Sequence, residues 1–252
     1  MKENVADIME VCLLAGKIML SSGAETYRVE DTMNRIAKAY SVYETNSYVT
    51  PTGIFLTIQG RNKEDVQTKF MRISERLIDL NKVALVNDIS RKISSGIMSI
   101  DLAYEKLLEV EKEEPLYPFW LQILAASVAS AFFSLMFGGG WQDVTPALFA
   151  GGIGFILFIY IHRIVQVKFF AEILAAFIIG AIAYLFYYFG MDIHLDKVII
   201  GSIMPLVPGV LITNAVRDLM AGDLVSGLAR GAEAFFTAFA IGAGIAVFIA
   251  MI

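Results

Sequence analysis

The chain has 252 residues, 57% of them hydrophobic, with a mean hydropathy of +0.64 and a net charge of −5. That composition excludes an ordinary water-soluble globule and points to a membrane protein, and the acidic balance offers no surface for nucleic acid. The single cysteine, Cys12, excludes an internal disulfide and suits a reducing compartment.

Charge divides the chain in two. Of its 45 Lys, Arg, Asp and Glu residues, 33 precede Pro115 and 12 follow it. The expected organisation is a cytoplasmic α+β domain over residues 1–115, followed by a transmembrane helical domain over 116–252. Pro115-Leu-Tyr-Pro118 serves as the hinge, because proline cannot continue a helix. The apolar run Val11–Leu20 is not an export signal, since Lys17 interrupts it and Glu3, Asp7 and Glu10 precede it.

In chain order, Val5, Ile8, Met9, Cys12, Leu13, Gly16, Met19 and Leu20 fall at helical spacing and predict an amphipathic helix ended by Gly23. A second helix, capped by Thr26, carries Val29, Met33, Ile36, Ala37 and Tyr40. Tyr43–Val49 and Ile54–Gln59 read as a hairpin turning at Thr50-Pro51-Thr52-Gly53, with Val66–Ile73 as a third strand. Helices over Arg76–Ser94 and Ile100–Glu113, the latter capped by Ser99, complete the domain. Ser21-Ser22-Gly23-Ala24-Glu25-Thr26 with Arg28 and Glu30 contains the raw material of a hydrolase but no histidine. The favoured reading is a helix junction with Ser22 and Glu25 as a capping box. No metal-ligand spacing occurs, and no cofactor is expected.

Five apolar runs follow: Phe119–Phe137, Val144–Ile161, Phe169–Phe189, Val198–Thr213 and Ala232–Ile252. The fourth, at about 1.5 Å per residue, reaches only about 24 Å against a core of about 30 Å, so either it recruits Leu195 and its neighbours or it breaks within the membrane at Pro205, Pro208 and Gly209. With the N-terminal domain inside, the inner loops hold Arg163, Lys168, Arg217 and Arg230 and the outer loops only Lys197, which follows the positive-inside rule. Small residues recur at Ala126, Ser130 and Ser134, at Gly151–Gly154, and at Ala238, Gly242 and Ala246. They suit close packing within one bundle or a subunit interface in an oligomer.

The polar groups of Pro205–Arg230 are costly near lipid. In a helix, Asn214 and Asp218 share a face, while Arg217 and Asp218 diverge by about 100° and need other partners. Asp223, Ser226, Arg230, Glu233 and Thr237 form one polar stripe opposite Leu224, Val225, Leu228, Phe235 and Phe236. Two readings stand. Arg217 and Arg230 are inner-leaflet anchors paired with Asp218 and Glu233, or the broken helix and stripe line a substrate path. On the second reading Arg217, Arg230, Asn214 and Ser226 bind a carboxylate-bearing solute, and Asp218, Asp223 or Glu233 carries a coupling proton. Glu172 and His162 are weaker candidates at the membrane edge.

Gly23-Ala24-Glu25-Thr26-x-Arg28-Val29-Glu30, Thr50-Pro51-Thr52, and Leu206-Val207-Pro208-Gly209 followed by Arg217-Asp218, Gly222-Asp223, Ser226-Gly227, Arg230 and Glu233-Ala234 together resemble the threonine/serine exporter family, most closely its larger-subunit, YjjP-type branch. The resemblance covers nearly the whole chain. It implies a subunit of a secondary transporter in the bacterial inner membrane, exporting threonine, serine or a dicarboxylate such as succinate. Full-length members carry a second, smaller membrane domain, so the resemblance also implies a small, separately encoded membrane subunit as partner. The alternative is a membrane-anchored cytoplasmic enzyme or sensor whose spans act as an anchor.

Overall fold

In the computed structural model, residues 4–62, 65–74, 76–113, 117–165 and 167–252 are described; Pro115 and Leu116 of the expected hinge lie outside them. The protein is mostly helical with one small sheet, and it forms two compact units. One comprises Met1–Leu116 with Val210–Gly231, the other Tyr117–Gly209 with Ala232–Ile252.

The core of the first unit is built on helix α1 (Val5–Ser21). From Val11 to Leu20 every residue except Lys17 is buried, so α1 is enclosed rather than amphipathic. The residues between its expected face, Val11, Leu14, Ala15 and Ile18, are apolar too, as a helix covered on all sides requires. Helix α2 (Thr26–Ala39) packs through Val29, Met33, Ile36 and Ala37, as its spacing predicts. The fit against α1 is close at Gly16, where a β-carbon would lie 2.6 Å from Met33 Sδ.

Strands β1 (Glu44–Thr50), β2 (Gly53–Gln59) and β3 (Val66–Arg72) form an antiparallel meander in which Thr50 pairs with Gly53 and Gly53 with Arg72. Alternation along β2 sends Ile54, Leu56 and Ile58 into the core and leaves Phe55 outside between Tyr48 and Phe70. Helix α3 (Leu80–Ser94) begins four residues later than its sequence pattern predicts. Leu77 and Asp79 donate their backbone N–H groups to Ser21 and Ser22 carbonyls at the end of α1, at 2.8 and 3.1 Å, and Asp79 then caps α3. Helix α4 (Ile100–Lys112) starts at Ser99, whose hydroxyl accepts from Leu102 N–H.

The remaining helices are α5 (Phe119–Met136), α6 (Trp141–Val165), α7 (Lys168–Tyr188), α8 (Leu195–Ile203), α9 (Gly209–Ala221) and α10 (Leu224–Ile249). Among the described residues α5, α6, α7 and α10 are long and apolar enough to cross a membrane. Leu195–Leu206 with Gly209–Ala221 adds a fifth crossing if that bent pair is counted as one. The break is local chemistry. Met204–Leu206 tightens into a 3₁₀ turn containing Pro205, and Val207, which precedes Pro208, is held extended at φ −63°, ψ 132°.

Within the second unit, Ser130 and Ser134 of α5 are buried and donate to carbonyls of their own helix. A β-carbon on Gly201 of α8 would fall 2.5 Å from Ser134 N, so these helices touch backbone to backbone. Toward the end of α10, beyond Thr237, the buried residues are Ala240, Ile241, Gly244 and Phe248, whereas Ala238, Gly242 and Ala246 are exposed.

Candidate functional site

The polar segment of α9 and the start of α10 belong to the first unit, and their side chains converge on the turn between α1 and α2. Gly23 makes that turn at φ +89°, a left-handed conformation open to glycine at little cost. Each residue of Gly23-Ala24-Glu25-Thr26 is then held by a different side chain. Asn214 Nδ2 donates to Gly23 O at 2.8 Å and Arg230 Nη2 to Ala24 O at 2.7 Å. Arg217 Nη1 donates to Glu25 Oε1, and Asp218 accepts from both Thr26 N (3.0 Å) and Thr26 Oγ1 (3.2 Å). A second anchor lies on β1, where Ser226 Oγ donates to Val49 O at 3.3 Å and Glu30 Oε1 accepts from Val49 N at 2.8 Å.

The expected Ser22–Glu25 capping box is absent. Ser22 is the C-cap of α1, and Glu25, at the N-cap of α2, makes no side-chain cap hydrogen bond. Its carboxylate is drawn instead to two guanidinium groups, Arg28 at 3.1 Å and Arg217. The buried N-terminus of α2 receives its anion from Asp218, where the helix dipole favours negative charge.

The i,i+4 residues Asn214 and Asp218 share a buried face, and Arg217 diverges with a side chain 61% exposed. Asp218, fully buried, pairs with the equally enclosed Arg230 at 3.3 Å. This geometry satisfies a buried charge pair, because each partner also bonds the backbone or side chain of the turn. Asp223 stands beside Glu30. Burial pushes the Glu30 carboxyl above its ordinary value, the Val49 N–H opposes that, and the Asp223 and Asp218 carboxylates add to it. Burial also pushes Glu25 upward, but its backbone N–H, Arg217 and Arg28 outweigh this and hold it below the ordinary value.

Glu233 and Thr237, the far part of the stripe, lie in the second unit with Lys168 and Glu172 of α7. Lys168 Nζ is 3.2 Å from Glu233 Oε1 and 3.9 Å from Glu172 Oε1. Across the stripe the polar side is turned inward at Ser226, Arg230 and Thr237, while Leu224, Val225, Leu228, Phe235 and Phe236 are exposed. Sequence reasoning missed Asp143. This fully buried residue near the start of α6 accepts from Gly140 N and His194 N and meets His194 Nδ1 at 2.9 Å. A lone Asp opening an otherwise apolar span was the available signal. Among the described residues no group of three or more His, Cys, Asp or Glu is placed to hold a metal ion.

The family described as "Putative threonine/serine exporter" matches residues 10–252. A probable threonine/serine exporter of Mycobacterium tuberculosis is 25% identical over 95% of this chain and 45% of its own length. A threonine/serine exporter of Corynebacterium glutamicum is 25% identical over 96% and 50%. A probable succinate transporter subunit YjjP of Klebsiella aerogenes is 27% identical over 99% and 96%. The chain thus spans about half the length of the two exporters and nearly all of the subunit. No solved structure matches.

Proposed function

The chain belongs to the threonine/serine exporter family, and from that premise we propose that it is one subunit of a secondary transporter exporting a small carboxylate-bearing metabolite, either threonine or serine or a dicarboxylate such as succinate. The family is one of transporters rather than enzymes, which removes the anchored-enzyme alternative.

The observation that carries the substrate class is the pairing of Glu25 with Arg217 and Arg28. Arg217 and Arg28 keep exposed side chains around one enclosed carboxylate. Guanidinium groups present a planar fork to carboxylates, and an incoming substrate carboxylate takes the place of Glu25 on Arg217. Arg230, Asn214 and Ser226 hold the turn and strand that frame this exchange, and the break at Pro205, Pro208 and Gly209 gives α9 its separate direction. Export is coupled to protons, with Asp218, Asp223 and Glu233 as the acidic groups of the path. The protein resides in the bacterial inner membrane with residues 1–115 cytoplasmic, as the loop charges favour. A small, separately encoded membrane subunit completes the transporter. The relatives named as subunits support this, and so does the exposed small-residue face Ala238-Gly242-Ala246, which suits close contact with a partner helix.

Counterflow of labelled threonine, serine and succinate in proteoliposomes, with and without the small subunit, tests the reading. Accumulation of at least one of the three is expected only when both subunits are present. Equal flux from this chain alone would remove the partner, and no counterflow of any of the three would remove the substrate class.

A further inference from the structure

The two edges of the sheet are finished differently. The turn at Pro51-Thr52 makes Thr50 and Gly53 a hydrogen-bonded pair, so bonding alternates along β1 and Val49 turns its N–H and C=O away from β2. On that edge Val49 is closed on both sides, its N–H taken by Glu30 and its carbonyl by Ser226. The same alternation bonds Asp65, Gln67, Lys69, Met71 and Ile73 to the β2 side. Gly60 N–H on Asp65 O at 2.8 Å and Ile73 N–H on Thr52 O at 3.0 Å mark the two ends of that series. Val66, Thr68, Phe70 and Arg72 therefore direct their backbone groups outward from the sheet, and all four residues are exposed. Among the described residues no hydrogen bond reaches those outward groups.

Side chains make the same edge apolar. On the face away from the core, Phe70 lies 4.6 Å from Phe55, centroid to centroid, and Phe55 6.5 Å from Tyr48, an aromatic row that stops at β3. Lysine on an edge strand ordinarily discourages pairing, but Lys69 is turned to the opposite face, toward Glu10 of α1 at 3.7 Å. A free row of backbone groups beside exposed apolar side chains is a template for another strand.

Antiparallel pairing of β3 with a second copy can centre on Thr68, Lys69 or Phe70. Centring on Lys69 sets two lysines directly opposite, which is unfavourable, and centring on Phe70 leaves Val66 beyond the end of the other strand. Centring on Thr68 sets Val66 against Phe70 twice and covers both apolar residues. It also places Lys69 opposite Gln67, with Asp65 of the second copy next along the same face.

We propose that β3 is a homodimer interface, in which residues Val66–Phe70 of two copies pair antiparallel about Thr68 and join two three-stranded sheets into one. Thr68 exchanges N–H and C=O with its counterpart across the two-fold axis, and each Phe70 carries its aromatic row onto Val66 of the other copy. The pairing uses none of the groups assigned to transport and leaves the small-residue face of α10 free for the small subunit.

Two measurements on the full chain test it. In membranes, oxidation is expected to link Thr68→Cys into a disulfide dimer, because the Cα atoms of a hydrogen-bonded pair stand about 5.5 Å apart. Asn46→Cys, on β1, is expected to stay monomeric, and the fully buried Cys12 reports in neither variant. Equal cross-linking of the two variants, or none in either, would overturn the proposal. Thr68→Pro removes the outward N–H and, apart from the Thr57 hydroxyl contact, no bond within the chain. Its melting temperature is expected to stay near that of the wild type, while the dimer dissociation constant, read by analytical ultracentrifugation in detergent, rises about tenfold or more. A folded Thr68→Pro protein that dimerises like the wild type refutes the interface, and cross-linking decides alone if that variant does not fold.

Discussion

Asp218 caps α2 from 192 residues away, and Glu25, which occupies the N-cap position, gives its carboxylate to arginines instead. Removing one member of a buried pair strands the other. Asp218→Ala is therefore expected to cost about 3–5 kcal/mol, with Asp218→Asn milder because it still accepts from Thr26, as measured by denaturant or thermal unfolding in detergent. Glu25 and Arg230 bear on adjacent residues of one turn, so Glu25→Gln and Arg230→Gln are expected to abolish export together while the protein still inserts in the membrane. The two glutamates of α2 respond oppositely to pH. Glu25 is held below the ordinary value of 4.5, so its contribution is present above that pH and lost as pH falls through the depressed value. Glu30 is pushed above 4.5, so its contribution is complete below that pH and lost as pH rises through the raised value. Melting temperatures across pH should therefore show Glu30→Gln flattening the loss on the alkaline side and Glu25→Gln flattening the loss on the acid side.

At the scale of elements, periodicity carried most of the information it physically could. The apolar faces of α2 and β2 and the Ser99 cap were legible because each depends on neighbours within one turn or one strand. So was the divergence of Arg217 from Asp218. The partners of these groups were not legible, since helical spacing says nothing about a residue 190 positions away. The Ser22–Glu25 pattern matched a local motif that the distant Asp218 and Arg217 displaced. The late start of α3 has the same origin, because residues 77–79 bond the end of α1. Small residues were recognised, but their direction was not. Gly201 lies against Ser134 and has no room for a side chain, whereas Gly242 faces open space. Gly201→Leu is accordingly expected to lower stability by about 1–3 kcal/mol or prevent folding, and Gly242→Leu to leave the isolated chain's stability nearly unchanged, both read from thermal unfolding.

At the scale of the molecule, Cys12 provides a built-in probe. Burial pushes its thiol well above the ordinary range, so a maleimide is expected to label it only when the first unit opens. Slow labelling in the native protein and rapid labelling after denaturation is the expected result. Helix α9 is a stiff rod of 13 residues with a joint at each end, the extended Val207 before Pro208 and Gly222 at φ +93°. The helix that follows runs 26 residues without proline or a break. Bending is therefore concentrated at the two joints. Asn214, Arg217 and Asp218 ride on the rod as one block, and a swing of about 10° at either joint carries the far end of its roughly 20 Å length by about 3 Å. That is a crank, whose throw is enough to part four hydrogen bonds at once.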